Sequence, residues 1–269
     1  MLTPAQRDAY LARLGLTTAP ATTPDGLADL HAAHMMAVPF ENFDIHLGQG
    51  ISLDPEAVYD KVVARRRGGY CFELNGLFLR LLAALEVEAR PLLARVWLAP
   101  GGPHPRTHKL CLVELGGRPW IFDIGFGGPG FRLPMPLETG RVDDQPDGRF
   151  RLREDADHGF MLETGRDDGW LGLYSFTLER CWPADFELGN HYTATAPDSL
   201  FTQRRLAARF TADGRLTLLD HQLTTRAGGI DTTETLADDA TYLDVLRTRF
   251  GIDLDVPYHT LKAPCPVSA

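Results

Sequence analysis

The spacing of apolar residues changes along the chain, and the change divides it into parts. In the first third, apolar residues recur every three to four positions, which is typical of helices with one buried face. Three helix starts are predicted where a capping residue precedes proline, at Thr3-Pro4, Thr23-Pro24 and Asp54-Pro55. A further helix is predicted over residues 71–85. The first third is therefore predicted to be helical.

The middle third contains short apolar runs separated by turn residues, a pattern typical of antiparallel strands. The predicted strands are 92–98, 109–115, 120–124, 149–153, 160–163 and 171–178. No helical pattern alternates with these strands. A barrel or a strongly curved sheet is therefore favoured over a parallel sheet with crossover helices.

The last third mixes both patterns. It has a predicted short helix at 184–192 and a hairpin of strands 203–210 and 216–220 around Asp213-Gly214. A further strand at 221–226 and a final helix at 236–250 complete the prediction. The chain as a whole is predicted to be an α+β protein.

Charge and cysteine content exclude several kinds of function. The net charge of −9 over 269 residues argues against nucleic acid as the main partner, because phosphate binding needs clustered cations. No apolar run is long enough to span a bilayer, and no secretory signal is visible, so we predict a cytoplasmic protein. Four widely spaced cysteines without a CxxC pair indicate neither a zinc site nor a thioredoxin-like site. No bound metal is predicted.

Cys71 is the strongest candidate for chemistry. It follows the Gly68-Gly69 pair and begins a predicted helix, where unpaired N–H groups and the helix dipole favour the thiolate, the nucleophilic form. We expect the glycines to allow a tight turn and to let a substrate approach the sulfur. Arg67 and Glu73, on either side, are predicted to form a structural ion pair. Cys111 lies in an apolar strand and is predicted to be buried.

His108 and Asp123 are the candidate base and the candidate group that orients it. His108 opens one predicted strand, Asp123 ends the next, and a hairpin at Gly116-Gly117 would bring them together. Taken singly, each residue is more often structural than catalytic. Together with Cys71, they favour a Cys–His–Asp triad.

Four ordered motifs resemble those of the arylamine N-acetyltransferase family. They are Arg67-Gly68-Gly69-Tyr70-Cys71-Phe72-Glu73-Leu74-Asn75, Val38-Pro39-Phe40-Glu41-Asn42-Phe43, Thr107-His108, and Phe122-Asp123-Ile124-Gly125-Phe126-Gly127. The resemblance is strong over roughly residues 1–130, whereas the last third is similar only in length and general pattern. All three catalytic positions of the family are occupied, by Cys71, His108 and Asp123.

The resemblance implies a helical domain at 1–88, an antiparallel β-barrel domain at 89–195 and an α/β lid at 196–269. The core would be a Cys–His–Asp arrangement like that of cysteine proteases. It implies a ping-pong reaction, in which acetyl-CoA acetylates Cys71 and an arylamine, arylhydrazine or N-hydroxyarylamine then takes the acetyl group. Small molecules would be the partners of a monomer or homodimer, with no nucleic acid, membrane or metal.

The resemblance also implies two sets of binding residues. The acceptor pocket would contain Phe40, Val96, Phe126 and Phe201, each of which could equally be a core residue. Contacts to CoA would come from Thr107, Gly127 and Gly128, although the glycine-rich segment 125–130 could equally be a simple hairpin connection.

Three other functions stay open. The same triad serves amide synthases that close macrolactam rings, and it would also suit an amidase. A relative that keeps the fold but only binds a ligand is the third possibility.

Overall fold

The computed structural model describes residues 1–98 and 102–265. Residues 99–101 of the predicted second domain and 266–269 of the third lie outside the described residues. The helices are α1 Pro4–Arg13, α2 Pro24–Ala37, α3 Phe43–His46, α4 Pro55–Tyr59, α5 Cys71–Ala84, α6 Pro183–Thr195, α7 Leu200–Gln203 and α8 Asp239–Val245. The π-helical turns Asp60–Ala64 and Leu246–Phe250 continue α4 and α8, and a 3-10 turn covers Tyr258–Thr260.

The predicted helix starts are confirmed. The side chains of Thr3, Thr23 and Asp54 each accept a hydrogen bond from a backbone N–H in the first turn of the helix that follows. Within the described part of the chain, no helix is long and apolar enough to cross a membrane.

Within the described residues, the strands form two antiparallel sheets. They are β1 Phe40–Glu41, β2 Ala89–Val96, β3 Arg106–Leu115, β4 Arg118–Phe122, β5 Met135–Pro136, β6 Val142–Gln145, β7 Gly148–Asp155, β8 Gly159–Arg166, β9 Gly169–Phe176, β10 Leu206–Thr211, β11 Gly214–Leu219, β12 Gln222–Ala227 and β13 Ile230–Thr235. One sheet has the order β5-β4-β3-β2-β9-β8-β7-β6 and curves into a nearly closed barrel. The α+β architecture with a helical first part and a barrel-like middle is confirmed.

The second sheet has the order β1-β10-β11-β12-β13 and therefore begins with a strand from the helical first part. Asn42, directly after β1, secures this junction. Its amide donates to the carbonyls of Phe201 and Arg204 at 2.9 and 2.8 Å, and its oxygen accepts the N–H of Leu206 at 2.8 Å. The C-terminal sheet is thus attached to residues about 160 positions earlier in the chain.

Several sequence predictions differ from the structure. Strand β13 was not predicted, because every one of its positions is exposed and the apolar alternation that marks a strand is missing. The strand predicted at 203–210 begins only at Leu206, since α7 occupies the preceding residues. The final helix begins at Asp239 instead of 236. The domain boundaries at 88/89 and 195/196 stay predictions.

Candidate active site

Cys71 is the first residue of α5, as its sequence context predicts. Its side chain is buried, and its sulfur lies 3.7 Å from the carbonyl oxygen of Thr107 on β3. Before it, the N–H of Tyr70 donates to Glu73 Oε2 at 2.9 Å. The N–H groups of Cys71 and Phe72 occupy the first turn of the helix, where no intrahelical carbonyl is available to them.

The two glycines before Cys71 differ from the expectation. Neither adopts positive φ; instead, both allow close packing. A Cβ on Gly68 would lie 2.1 Å from the Pro39 carbonyl oxygen, and one on Gly69 would lie 2.9 Å from Glu73 Oε2. Gly68 therefore lets the loop lie close to β1, and Gly69 forms a bridge with Phe40 there. Gly68 accommodates the Pro39 backbone, and Gly69 accommodates the Glu73 side chain.

His108 and Asp123 lie in contact, with His108 Nε2 2.7 Å from Asp123 Oδ2. Strands β3 and β4 pair with Cys111 opposite Phe122. Extending this register by one residue puts Asp123 opposite Leu110, two positions from His108 and on the same face of the sheet. Such diagonal neighbours are within reach of long side chains. The Cys71 sulfur lies near enough to the His108 ring to contribute to its raised pKa, so the three predicted side chains lie together as a series, Cys71, His108 and Asp123.

The electrostatics of the pair favour a charged imidazole. Burial works against the charged ring, but the Asp123 carboxylate and the Cys71 sulfur outweigh it and raise the pKa of His108 from 6.5 to about 10. Burial likewise opposes the charge of Asp123. His108, Asn75 and the N–H of Gly125 nevertheless hold the pKa of this carboxyl below its ordinary value of 3.8.

Asn75 contacts Asp123 from the same helix that carries Cys71, and sequence reasoning did not single it out. Its Nδ2 donates to Asp123 Oδ1 at 3.0 Å and to the Lys109 carbonyl at 2.7 Å, and its Oδ1 accepts the N–H of Ile124 at 3.2 Å. Its position four residues after Cys71 was the available signal, because residues so spaced share a helix face.

Two further residues next to Asp123 were missed. His31, on α2, accepts the Asp123 N–H at 3.1 Å. Tyr174, on β9, lies with its ring centroid 4.9 Å from that of His108. Its hydroxyl is buried without a hydrogen-bond partner among the described residues. Burial raises the pKa of Tyr174, and the neighbouring Asp123 adds to the effect. Neither residue lies in one of the four motifs, and both are brought to the site by the tertiary fold.

The four predicted acceptor residues lie around this series. The Phe126 ring centroid is 5.1 Å from that of His108, and the Phe40 and Phe201 centroids are 6.0 Å apart. Val96 and Phe126 both pack against the core of the barrel. Gly127 lies between the Phe126 and Phe40 rings, because it follows Phe126 in the chain and a Cβ on it would lie 2.5 Å from the Phe40 ring.

The three predicted CoA contacts do not all line the cleft that contains Thr107. Gly128 is close to the Phe126 ring, with 3.3 Å between that ring and a Cβ built on the glycine. Thr107 instead lines a cleft of about 490 Å³ together with Leu93, Cys181 and Gly189 on α6. Among the described residues, the lining of this cleft includes neither Gly127 nor Gly128.

The predicted ion pair between Arg67 and Glu73 is wrong. Arg67 forms a two-pronged pair with Glu41 at 2.8 and 2.9 Å and also reaches Asp44. Glu73 pairs with Lys61 at 2.8 Å, and Lys61 also contacts Asp44 at 2.7 Å. The five side chains are buried, so each charge needs partners. In the part of the chain that the structure describes, no cluster of His, Cys, Asp and Glu is arranged to hold a metal ion.

The chain is similar over most of its length to known N-acetyltransferases. A family model described as N-acetyltransferase matches residues 24–258. The chain is 38% identical over 253 residues to the arylamine N-acetyltransferase of Escherichia coli, covering 93% of this chain and 90% of that relative. It is 36% identical over 254 residues to a Salmonella typhimurium protein, with the same coverages, named arylamine N-acetyltransferase / N-hydroxyarylamine O-acetyltransferase.

A solved structure is similar as well. The arylamine N-acetyltransferase of Mycobacterium marinum in complex with CoA superimposes with a TM-score of 0.88 at 35% sequence identity. The match covers 94% of this chain and 96% of that structure. The similarity therefore extends over the C-terminal sheet, where the sequence motifs alone are weak.

Proposed function

The chain belongs to the arylamine N-acetyltransferase family, and from that premise we propose that it moves acetyl groups from acetyl-CoA to aromatic amines through an acetyl-cysteine at Cys71. The observation that carries the proposal is the hydrogen bond between His108 and Asp123 beside the Cys71 thiol. It brings a thiol at a helix N-terminus next to an imidazole that is bonded to a buried carboxylate. This is the arrangement that nucleophilic catalysis by cysteine requires.

In the first half-reaction, His108 takes the proton of the Cys71 thiol. Asp123 occupies Nε2 of the ring, which leaves Nδ1 to face the sulfur. The thiolate attacks the thioester carbonyl carbon of acetyl-CoA and forms a tetrahedral intermediate. The N–H groups of Cys71 and Phe72 are the candidate donors to its oxyanion. The intermediate collapses to acetyl-cysteine, and the CoA sulfur leaves with the proton from His108.

In the second half-reaction, an amine nitrogen attacks the acetyl carbonyl of Cys71. His108 accepts the amine proton as the new C–N bond forms, and the sulfur leaves as the thiolate. Phe40, Phe126 and Phe201 would contact the aromatic ring of the acceptor, since pockets for aromatic ligands are mainly apolar with a few polar groups. Arylhydrazines and N-hydroxyarylamines present the same ring and a comparable nucleophile. We include them in the proposed acceptor class.

Acetyl-CoA also carries phosphates, which need N–H donors or cations. Thr107 and the backbone of Gly127 and Gly128 are the proposed contacts near the thioester. Arg215 on β11 is a candidate further away. It lines a groove of about 280 Å³ with Arg226, and its side chain has no hydrogen bond or ion pair within residues 1–98 and 102–265.

The position of Arg215 suits an extended donor. In the second sheet Phe40 pairs with Ala208, and Arg215 lies one strand further, opposite Phe210. Strand spacing and rise put it roughly 12 Å from Phe40. Burial and the charge of Arg226 lower the pKa of Arg215, although Asp231, which lines the same groove and pairs with Arg226, partly offsets the effect. A phosphate in this groove would therefore bind mainly through Arg215.

Intact-protein mass spectrometry tests the proposal directly. Incubation with acetyl-CoA should add one acetyl group, and a subsequent arylamine should remove it and appear acetylated. The Cys71→Ala variant is the control, because it keeps half-buried Cys181 and exposed Cys265 and reports any non-specific acetylation. Acetylation of Cys71→Ala at the wild-type rate, or normal turnover by it, would contradict the acyl-cysteine mechanism.

The same experiment separates the alternatives. An amidase would lose the acetyl group to water at a rate that the arylamine does not increase. An amide synthase would accept long-chain acyl thioesters in preference to acetyl-CoA. A protein that only binds ligands would gain no mass with any donor.

A further inference from the structure

His31 lies at the neck of the segment 124–131, here called the acceptor loop, which carries Phe126, Gly127 and Gly128. Its Nε2 accepts the N–H of Asp123 at 3.1 Å, just before the loop. Its Nδ1 lies 2.7 Å from the carbonyl oxygen of Arg132, just after the loop. Because Nε2 accepts, the ring proton must be on Nδ1, which donates to Arg132. One imidazole thus joins both ends of the loop.

The surroundings of His31 hold this ring in place. The residue is fully buried, stacks on Phe131 at 5.7 Å between ring centroids, and meets the edges of Phe78 and Phe122. Burial, only partly opposed by the hydrogen bond to Arg132 and by Asp123, lowers the pKa of His31 to about 4. The ring therefore stays neutral near pH 7 and keeps an acceptor nitrogen for Asp123.

Arg132 fixes the far end of the loop to the rest of the molecule. Its guanidinium forms a two-pronged pair with Asp147 in the barrel, at 2.5 and 2.7 Å. It also reaches the carbonyls of Ala212 and Gly214 at the β10–β11 turn of the C-terminal sheet, at 3.4 and 3.2 Å. A displacement of His31 would therefore be transmitted to the acceptor loop as well as to Asp123.

We propose that His31 is a positioning residue for acetyl transfer, which holds the backbone of Asp123 and closes the acceptor loop around the site. The proposal rests on the proposed function, because Asp123 matters to the reaction only if Cys71 is acylated. His31 touches no reacting atom. Its effect would pass through the orientation of Asp123 and hence of the His108 ring.

Two substitutions separate the bonds that His31 makes. His31→Asn retains an amide N–H near the position of Nδ1 and can bind the Arg132 carbonyl, but it leaves the Asp123 N–H without an acceptor. His31→Gln can place its oxygen near the position of Nε2 and restore that bond. The matched control is His34→Asn, one turn further on α2, because His34 is equally buried and neither of its ring nitrogens has a partner within the described residues.

The readout is the rate of Cys71 acylation by p-nitrophenyl acetate between pH 5 and 9, followed by stopped flow, with melting temperature measured in parallel. His31→Asn should acylate about tenfold more slowly, the effect of losing one buried hydrogen bond. It should also show a shifted pH profile. His31→Gln should remain within about threefold of wild type, and His34→Asn should change only the melting temperature. Equal acylation rates and pH profiles for His31→Asn and His34→Asn would overturn the proposal.

Nitrogen-15 NMR of the wild-type protein gives a test that needs no variant. The His31 ring should be the neutral tautomer with its proton on Nδ1, and the Asp123 amide should exchange slowly with solvent. A proton on Nε2 would rule out the bond to Asp123 and with it the proposal. This measurement stands even if Cys71 fails to acylate, an outcome that would instead contradict the proposed function.

Discussion

Replacing Asp123 by asparagine removes one charge and keeps the side-chain shape. In the wild-type protein Asp123 Oδ1 accepts from Asn75 Nδ2 at 3.0 Å and from the Gly125 N–H at 3.1 Å. An asparagine oxygen can keep both bonds, so its NH₂ group would face His108. That group can only donate, which forces His108 Nε2 to accept and moves the ring proton to Nδ1. The nitrogen that faces Cys71 could then no longer take the thiol proton.

The expected loss of turnover is on the order of 10³–10⁴-fold, the effect of imposing the wrong histidine tautomer in a comparable triad. Stability should fall as well. The difference between the ordinary pKa of 6.5 and the value of about 10 for His108 corresponds to roughly 5 kcal/mol. Breaking a buried pair by removing one charge costs about 3–5 kcal/mol, which is consistent with that figure.

The pH dependence has a definite sign. The raised pKa of His108 stabilises the folded state fully below about pH 6.5, and this contribution disappears as the pH rises through about 10. The lowered pKa of Asp123 contributes above its ordinary value of 3.8 and is lost in more acidic solution. The stability difference between wild type and Asp123→Asn should therefore be largest from about pH 4 to 6.5 and shrink towards pH 10.

Urea unfolding at pH 6 and pH 9, combined with stopped-flow acylation, measures both effects. Asp244→Asn is the control, because that exposed acid pairs with the exposed Arg247 at 2.8 Å and should change neither quantity much. Turnover within tenfold of wild type, or a stability loss equal at the two pH values, would refute the argument from charge and tautomer.

Lys61→Met should lower the free energy of unfolding in urea at pH 8 by about 3–5 kcal/mol, because two buried carboxylates lose their ammonium partner. The loss should be smaller at pH 5, where those carboxyls can protonate, and an equal loss at both pH values would contradict this explanation. Gly127→Ala should lower the melting temperature more than Gly117→Ala. The φ angles of the two glycines are similar, +70° and +73°, but only a Cβ on residue 127 would meet the Phe40 ring, at 2.5 Å, so equal melting temperatures would exclude that clash. Arg215→Ala should raise KM for acetyl-CoA several-fold and leave acylation by p-nitrophenyl acetate unchanged, because that donor has no phosphates. An equal effect on both donors would show that Arg215 does not bind CoA.

The parts of the site that sequence could predict follow from local rules. A capping residue before proline locates a helix start, and the hairpin at Gly116-Gly117 fixes which residues of β3 and β4 lie opposite each other. His108 and Asp123 could therefore be predicted to lie together from the hairpin, whereas Cys71 was joined to them by the resemblance of the motifs to a known family. Their catalytic roles stay predictions until they are measured.

The residues that sequence reasoning missed depend on contacts between distant segments. His31 comes from α2, about ninety residues before the Asp123 that it contacts, and nothing in the helical pattern distinguishes it from a core histidine. The partner of Arg67 was mispredicted for a similar reason. Glu73 is nearer in sequence, but β1 brings Glu41 alongside the loop, and Lys61 takes Glu73 instead. Opposite charge alone therefore does not identify which of several acidic residues pairs with an arginine.

The attachment of Asn42 has a consequence for synthesis on the ribosome. Its partners at Phe201, Arg204 and Leu206 are made about 160 residues later. At 5–20 residues per second that interval is roughly 10–30 s. For the larger part of it, once residue 71 has been added, the nascent chain contains Cys71, while the C-terminal sheet that will lie beside β1 does not yet exist. A ribosome stalled before residue 200 would therefore present an incomplete enzyme, with its thiol made but one wall of its site missing.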